Sequence, residues 1–224
     1  MHIGSKYILP LLAVAALGAC ADGTGGNDRA DVRVLMSRSA SASASASLLA
    51  NASFAGNVAA ERVALSALDS LNVTITSVEA LPVATSDTAA ADSAGEGKGG
   101  WVTLTLPTPL NLNLLSLPAD SVTGGLQLVR GDLLPGSYRR VRLVVSGGSV
   151  VFKQATTVGQ ATFAAGQRVP LEVPSGKIKT AANFTVGADS VSAVRLVFDP
   201  NATVRDVTVT GSGRVKINPV LRAK

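Results

Sequence analysis

Along most of this chain apolar and polar residues alternate with a period of two, the spacing that sends successive side chains to opposite faces of a strand. The clearest run is Leu71, Val73 and Ile75 against Asn72, Thr74 and Thr76. Val32, Val34 and Met36, set between Arg33 and Leu35, predict an earlier strand, and Val102, Leu104 and Leu106 predict one over 101–106. Further strands are predicted over 110–117, 125–129, 149–152, 167–173 and 181–186. Val194, Leu196 and Phe198 then alternate with Arg195, Val197 and Asp199, and Val207 with Val209, followed by 215–217, completes the series. Turn residues punctuate these runs. Gly147-Gly148 reads as a hairpin, and Pro174-Ser175-Gly176, Asp199-Pro200-Asn201 and Gly211-Ser212-Gly213 read as turns. Helical spacing surfaces once, over 57–68, where Asn57 would cap a short helix with Val58, Leu65 and Leu68 on one side. The same residues serve equally well as the run-in to the next strand.

The stretch GDLLPGSYRRVRLVV at 131–145 organises the rest. Proline presets φ and the glycine after it tolerates positive φ, so Leu134-Pro135-Gly136-Ser137 predicts a type II turn. Beyond it Val141, Leu143 and Val145 share one face, while Arg140 and Arg142 share the other, as on a strand with one dry and one wet side. Tyr138 has the arginine parity. Either it lies outside the core or a bulge at Arg139-Arg140 changes the register. A tyrosine just past such a turn resembles the tyrosine corner of Ig-like sandwiches, whose hydroxyl ties down a crossover. The functional alternative is an anion site made of Tyr138, Arg140 and Arg142, against which stands the ordinary solvation of arginines on an outer strand face. About ten short strands, frequent Gly/Pro turns and no internal repeat together predict an all-β fold, an antiparallel Ig-like β-sandwich over 31–224.

Two segments interrupt the pattern. Residues 39–47 repeat Ser-Ala, and 84–100 are rich in Ala, Ser, Asp and Gly; both read as loops with nothing to bury, the second as a disordered hairpin tip. Composition narrows the function classes. The 224-residue chain carries 16% charged and 4% aromatic residues and a formal charge of +5. Its basic residues are scattered apart from Arg139, Arg140 and Arg142, with no aromatic-interleaved basic block, so nucleic acid is not an expected partner.

The single histidine and the single cysteine, His2 and Cys20, both fall in the first twenty residues. Lys6 precedes an apolar run over 8–17, and Leu17-Gly18-Ala19 leads into Cys20. A charged head, an apolar middle and small residues at a cleavage point make a secretory signal, and the run falls short of the roughly 20 residues that span a bilayer. The ending Leu-Gly-Ala-Cys resembles the lipobox of bacterial lipoproteins. That resemblance implies cleavage before Cys20 and acylation of its thiol, with two or more chains giving stable anchoring. The expected organisation is a signal peptide over 1–19, a glycine-rich tether over 20–30 and the sandwich thereafter. Ala21, rather than an aspartate, follows the cysteine, which by resemblance to known sorting rules favours an outer membrane where the cell has one. The expected location is the cell envelope, lipid-anchored, on a periplasmic or extracellular face.

A second resemblance covers nearly the whole mature chain. The ordered set LNVTITSV at 71–78, Gly100-Trp101-Val102, 112–117, LLPGSYRRVRLVV at 133–145, VPLEVPSG at 169–176, FTV at 184–186, RLVFDP at 195–200 and INPVLR at 217–222 resembles a bacterial lipoprotein family catalogued as domain of unknown function 4382. It implies a secreted or surface β-sandwich and no established activity. That family often has a second acid two residues before the position of Asp199, where this chain has Val197, so any role of that acid is missing here.

Once the signal is removed no histidine remains, so Ser-His-Asp and Cys-His machinery and histidine-ligated metals have no residues to build from. Neither a Ser-x-x-Lys nor a Gly-x-Ser-x-Gly arrangement occurs, and no Asp-x-Asp-x-Asp-Gly calcium loop. Carboxylates in loops and turns remain, among them Asp120, Asp132, Asp189, Asp199 and Asp206. A glycosidase would need two of them facing each other. Sugar binding by ring stacking would fall to Trp101, against the alternative that this ring packs at a sheet edge. The sequence therefore predicts a non-catalytic envelope lipoprotein without cofactor or metal. Its expected partners are the membrane, through acyl chains on Cys20, and an envelope protein or glycan. Trp101, Tyr138, Arg140 and Arg142 are the candidate ligand contacts. A carbohydrate-binding module is the second reading and a carboxylate-dependent hydrolase the third.

Overall fold

The computed structural model describes residues 29–39, 63–83, 100–121, 124–188, 190–205 and 207–224. The predicted signal, the tether up to residue 28, most of the Ser-Ala repeat and the predicted hairpin tip at 84–99 lie outside the described residues, and Cys20 with them.

The described residues form thirteen strands: β1 (Ala30–Arg38), β2 (Leu68–Pro82), β3 (Val102–Asn113), β4 (Leu126–Leu133), β5 (Gly136–Phe152), β6 (Thr156–Val158), β7 (Ala161–Phe163), β8 (Arg168–Glu172), β9 (Lys177–Val186), β10 (Ser192–Asp199), β11 (Thr208–Val209), β12 (Val215–Lys216) and β13 (Val220–Ala223). A four-stranded sheet in the order β13-β10-β1-β4 and a seven-stranded sheet in the order β11-β12-β8-β5-β2-β3, with β9 also paired to β5, make the two layers of an all-β sandwich. The hairpin β6-β7, which alternation alone did not reveal, stacks Phe163 on Phe152 with ring centroids 5.3 Å apart. Two pairings, β1 with β10 and β8 with β12, are parallel, so the sandwich is mixed rather than wholly antiparallel.

One core runs between the layers. Val32, Val34 and Met36 of β1 and Leu196 and Phe198 of β10 meet Leu71, Ile75, Leu143 and Phe152 of the larger sheet. The layers also approach at their edges. The Thr180 hydroxyl of β9 donates to the Leu221 carbonyl of β13 at 3.0 Å, and Gly131 of β4 leaves room for the Leu104 side chain of β3.

The spine of the larger sheet is the antiparallel pair β2 and β5, and bulges let each long strand keep apolar residues inward. The inward set of β2 changes from Leu71, Val73 and Ile75 to Val78 and Ala80 at an extra residue, Thr76. That of β5 changes from Val141, Leu143 and Val145 to Val150 and Phe152 past Ser146. Consequently Gly147-Gly148 does not make the predicted hairpin. Both glycines sit inside β5, opposite Thr74 and Val73, and a side chain at Gly148 would stand 2.5 Å from the Asn72 carbonyl oxygen. The glycine answers a close approach of strands, not a reversal of the chain.

Likewise the predicted strands 101–106 and 110–117 are a single strand up to Asn113. Between Thr105 and Leu110 that strand bulges away from β2, on the sheet edge where Pro107 and Pro109 need no ladder donors. Of the 57–68 segment, the described part is a 3-10 turn at Leu65–Ala67 running straight into β2. Asp199-Pro200-Asn201 opens a one-turn helix, α1 (Pro200–Thr203), whose N-cap is Asp199, accepting from the Ala202 amide at 2.9 Å.

The chain crosses from the small sheet to the large one at Leu134-Pro135. Gly136 has φ +148° and already begins β5, so a type II turn, which wants its glycine near +80°, does not form. Arg139 is the bulged residue, opposed by neither neighbouring strand, and it turns Tyr138 into the core. There Tyr138 is 3% exposed, stacks on Phe184 at 5.1 Å, and donates its hydroxyl to the Leu134 carbonyl at 2.9 Å. Burial raises its phenol above the ordinary value. Of the two alternatives for Tyr138, the bulge holds, and the hydroxyl ties the crossover to the strand it feeds.

Candidate functional site

The bulge at Arg139 also fixes what the large sheet shows to the outside. Past it, Arg140, Arg142 and Val144 face away from the core, and pairing lays them in rows. One row runs Thr103, Glu79, Arg142, Lys179 across β3, β2, β5 and β9, and the next runs Thr105, Ser77, Val144, Lys177. In the third, Arg140 stands between Leu81 and Ala181. Trp101, just before β3, reaches over the centre of this surface.

Arg142 is not the wet residue its alternation predicts. It is only 8% exposed, because β5 is an interior strand and Trp101 covers it, with the guanidinium carbon 4.1 Å from the centre of the indole ring. Its Nε donates to Glu79 directly across the pair, in an ion pair whose side chains are 10% and 15% exposed. The buried charge is therefore paired and capped, as a desolvated guanidinium must be. Arg140, one row away, is exposed.

Of the four residues singled out in sequence, the structure brings Trp101 and Arg142 into contact and sets Arg140 beside them. It puts Tyr138 on the opposite side of the sheet, its hydroxyl engaged by Leu134. One face of the Trp101 ring is taken by Arg142. Glu79 was missed, and so were Lys177 and Lys179. Each is an ordinary polar position in its own strand, and only the β2–β5–β9 register shows that they share a surface.

Two of the loop carboxylates, Asp120 and Asp199, are each engaged by the fold. Asp120 pairs with Lys224 and accepts from the Ser37 hydroxyl, and the Lys224 ammonium holds it below the usual carboxylate range. Asp199 caps α1 and pairs with Arg222 at 3.2 Å. Asp132 stands opposite Asp31 on the outer face of the small sheet, where Arg130 grips Asp31 through contacts of 2.6–2.9 Å and lowers its pKa. Asp189 and Asp206 lie outside the described residues. Among the described residues no three His, Cys, Asp or Glu side chains gather as a metal site would need, and no helix is long and apolar enough to cross a membrane.

A cleft of about 270 Å³ opens at the end of the sandwich where β1, β3 and β5 finish, with Arg38, Asp69, Asn113 and Lys153 on its walls. Its best-placed polar groups serve the fold. The Asn113 amide oxygen accepts from the Leu71 and Leu115 amides at 3.1 Å each, and Arg38 Nε donates to the Leu117 carbonyl at 2.9 Å.

A family model described as a domain of unknown function (DUF4382) matches residues 62–219. That span runs from the entry into β2 to just before β13 and contains the whole of the large sheet. Among curated proteins and among solved structures, nothing matches the chain.

Proposed function

The chain belongs to the DUF4382 family, and from that premise we propose that it is a lipid-anchored cell-envelope protein whose β-sandwich is a non-catalytic module for binding or structural contacts. The observation that carries the anchor is the sole cysteine, at the end of an apolar run and directly after Leu17-Gly18-Ala19. A thiol is the nucleophile an acyl chain needs, and two chains hold a protein on a bilayer where one does not. The non-catalytic part is supported by what the described side chains do. Among the loop carboxylates Asp199 caps a helix and pairs with Arg222 and Asp120 pairs with Lys224, while the one histidine, His2, lies in the expected leader and the one cysteine, Cys20, is the residue expected to carry the lipid.

The test is metabolic labelling with a fatty-acid probe. The wild-type chain is expected to take up label and partition with membranes, and Cys20→Ser is expected to lose both. An unlabelled wild type, or equal labelling of the serine variant, overturns the anchor. A carbohydrate-binding role is favoured by one observation, the outer face of the large sheet, where Thr103 shares a row with the Arg142 that contacts Trp101, and Ser77 and Thr105 lie in the next row.

A further inference from the structure

β1 starts at Ala30, opposite Leu133 of β4, and the same end of the sandwich gathers the starts of β5 and β10 and the finishes of β2, β4 and β9. Beyond the last paired residues, apolar side chains point out of the fold. Among the described residues four large apolar side chains are exposed, and three of them stand here. Leu134, in the crossover to β5, is 55% exposed, and Val191, just before β10, is 58% exposed. Val83, just past β2 with its amide bonded to the Ser137 carbonyl, is 46% exposed. The fourth, Leu126, lies opposite Met36, about 20 Å along β1 from this end. Apolar residues exposed singly are ordinary on a protein surface. Three ranged across the tips of neighbouring strands make a patch.

The patch sits where the chain comes from Cys20, ten residues before Ala30. A glycine-rich stretch of that length spans about 17 Å as a flexible coil and at most about 35 Å when extended. β5 alone carries the sandwich about 50 Å away from this end. An acylated Cys20 therefore holds this end close to the bilayer, while the far end is free to swing away. The two segments that leave this end, 21–28 and 84–99, contain no Val, Leu, Ile, Met or aromatic residue, so neither brings an apolar side chain to cover the patch.

We propose that the protein docks on its own membrane through this end, with Leu134, Val191 and Val83 entering the lipid beside the acyl chains of Cys20. The proposal rests on reading Cys20 as the lipidated residue and names the surface that the lipid brings to the bilayer. Three side chains are too few to hold a free protein on a membrane. An anchored one meets the bilayer at an effective concentration of about millimolar, where a weak contact is enough. Charge adds little, because Arg29 and Arg130 at the β1–β4 end stand against Asp31 and Asp132.

The experiment uses the acylated chain in phosphatidylethanolamine–phosphatidylglycerol vesicles whose acyl chains are brominated near the headgroups, a contact quencher of tryptophan. Leu134→Trp is compared with Leu126→Trp, the emission of Trp101 being subtracted with wild type. Position 134 is expected to be quenched and position 126 to emit as it does over unbrominated lipid. Adding Val191→Asp to Leu134→Trp is expected to lower the docked population about tenfold, so that quenching is lost while the protein stays on the vesicles and melts near wild type. Position 134 unquenched, both positions quenched equally, or quenching indifferent to Val191→Asp overturns the proposal. So does a dimer of the Cys20→Ser chain that Val191→Asp dissolves, since the end would then be a contact between copies. Fatty-acid labelling separates the two readings. Should the chain prove unlabelled, the anchor reading falls, and the same tryptophan pair is read on chain coupled through the Cys20 thiol to a maleimide lipid. Quenching at 134 there keeps the docking end without the natural anchor, and its absence sinks both.

Discussion

The two sheets each carry an arginine–carboxylate pair on the outer face, and the two pairs differ in everything but their chemistry. Arg142 and Glu79 stand directly opposite each other on interior strands of the large sheet, beneath Trp101, with side chains 10% and 15% exposed. Arg130 and Asp31 meet diagonally where β1 borders the edge strand β4, and the arginine side chain is 59% exposed. The exposed pair has the fuller set of hydrogen bonds, with both Asp31 oxygens engaged. Yet burial, not bond count, decides what each is worth. A pair in water competes with hydration of both ions and is screened by salt, whereas a capped pair holds an ion that has nowhere else to be solvated. The large sheet has thus placed a structural charge at the middle of its outer face and the small sheet a cosmetic one.

The largest expected effect follows from removing the carboxylate under the indole. Glu79→Ala leaves Arg142 desolvated and unpaired, which should cost about 3 kcal/mol of folding stability, read as a lower midpoint in urea unfolding. If that variant unfolds where wild type does, Arg142 is better hydrated than its 8% exposure indicates, and the contrast between the sheets collapses.

Trp101→Ala tests the cap itself. Losing the ring–guanidinium contact should cost about 1–2 kcal/mol, and opening the cluster to water should turn the buried pair into one resembling Arg130–Asp31. The sharper reading is a double-mutant cycle. In the Trp101→Ala background, Glu79→Ala should cost less than in wild type by about 1 kcal/mol. Additive effects would mean that the indole lies over the pair without governing its solvation.

Much of this arrangement was legible in the sequence, and the part that was not has a definite cause. The alternation of Leu71, Val73 and Ile75, and of Val194, Leu196 and Phe198, announces strands because burying one face imposes it, and Tyr138 past Pro135-Gly136 announces the tied crossover. Alternation speaks of one strand at a time, however. The bulges at Thr76, Arg139 and Ser146 arise from the fit between β2 and its partner β5, and they reverse the parity on which any reading of inside and outside depends. Gly147-Gly148 looks like a turn in isolation and becomes a contact only when Asn72 passes 2.5 Å from where its side chain would be. The site fails to show for the same reason. Arg140 and Arg142 are conspicuous along the chain, but Glu79 lies 63 residues away from Arg142 and has no mark of its own. Which cation is neutralised, and which are left to face solvent, is a property of register.

The smallest effect is expected at the exposed pair, and it is separable from the others by pH and salt. The Arg130 guanidinium holds the Asp31 carboxyl below its ordinary value of 3.8. In that circumstance the unfolded chain binds the proton more readily than the folded one. The stabilisation from Asp31 is therefore complete above that ordinary value and drains away as pH falls below it. Asp31→Asn should lower the melting temperature slightly at neutral pH and low salt, and its difference from wild type should close as the pH is taken below 3.8. It should close also in 1 M salt, where the screening length is about 3 Å, whereas the deficit of Glu79→Ala should persist because no counterion reaches a guanidinium beneath an indole. A deficit for Asp31→Asn that survived both acid and salt would show that the small sheet depends on this carboxylate in some way other than its charge. The outer faces of the two layers would then be alike in kind.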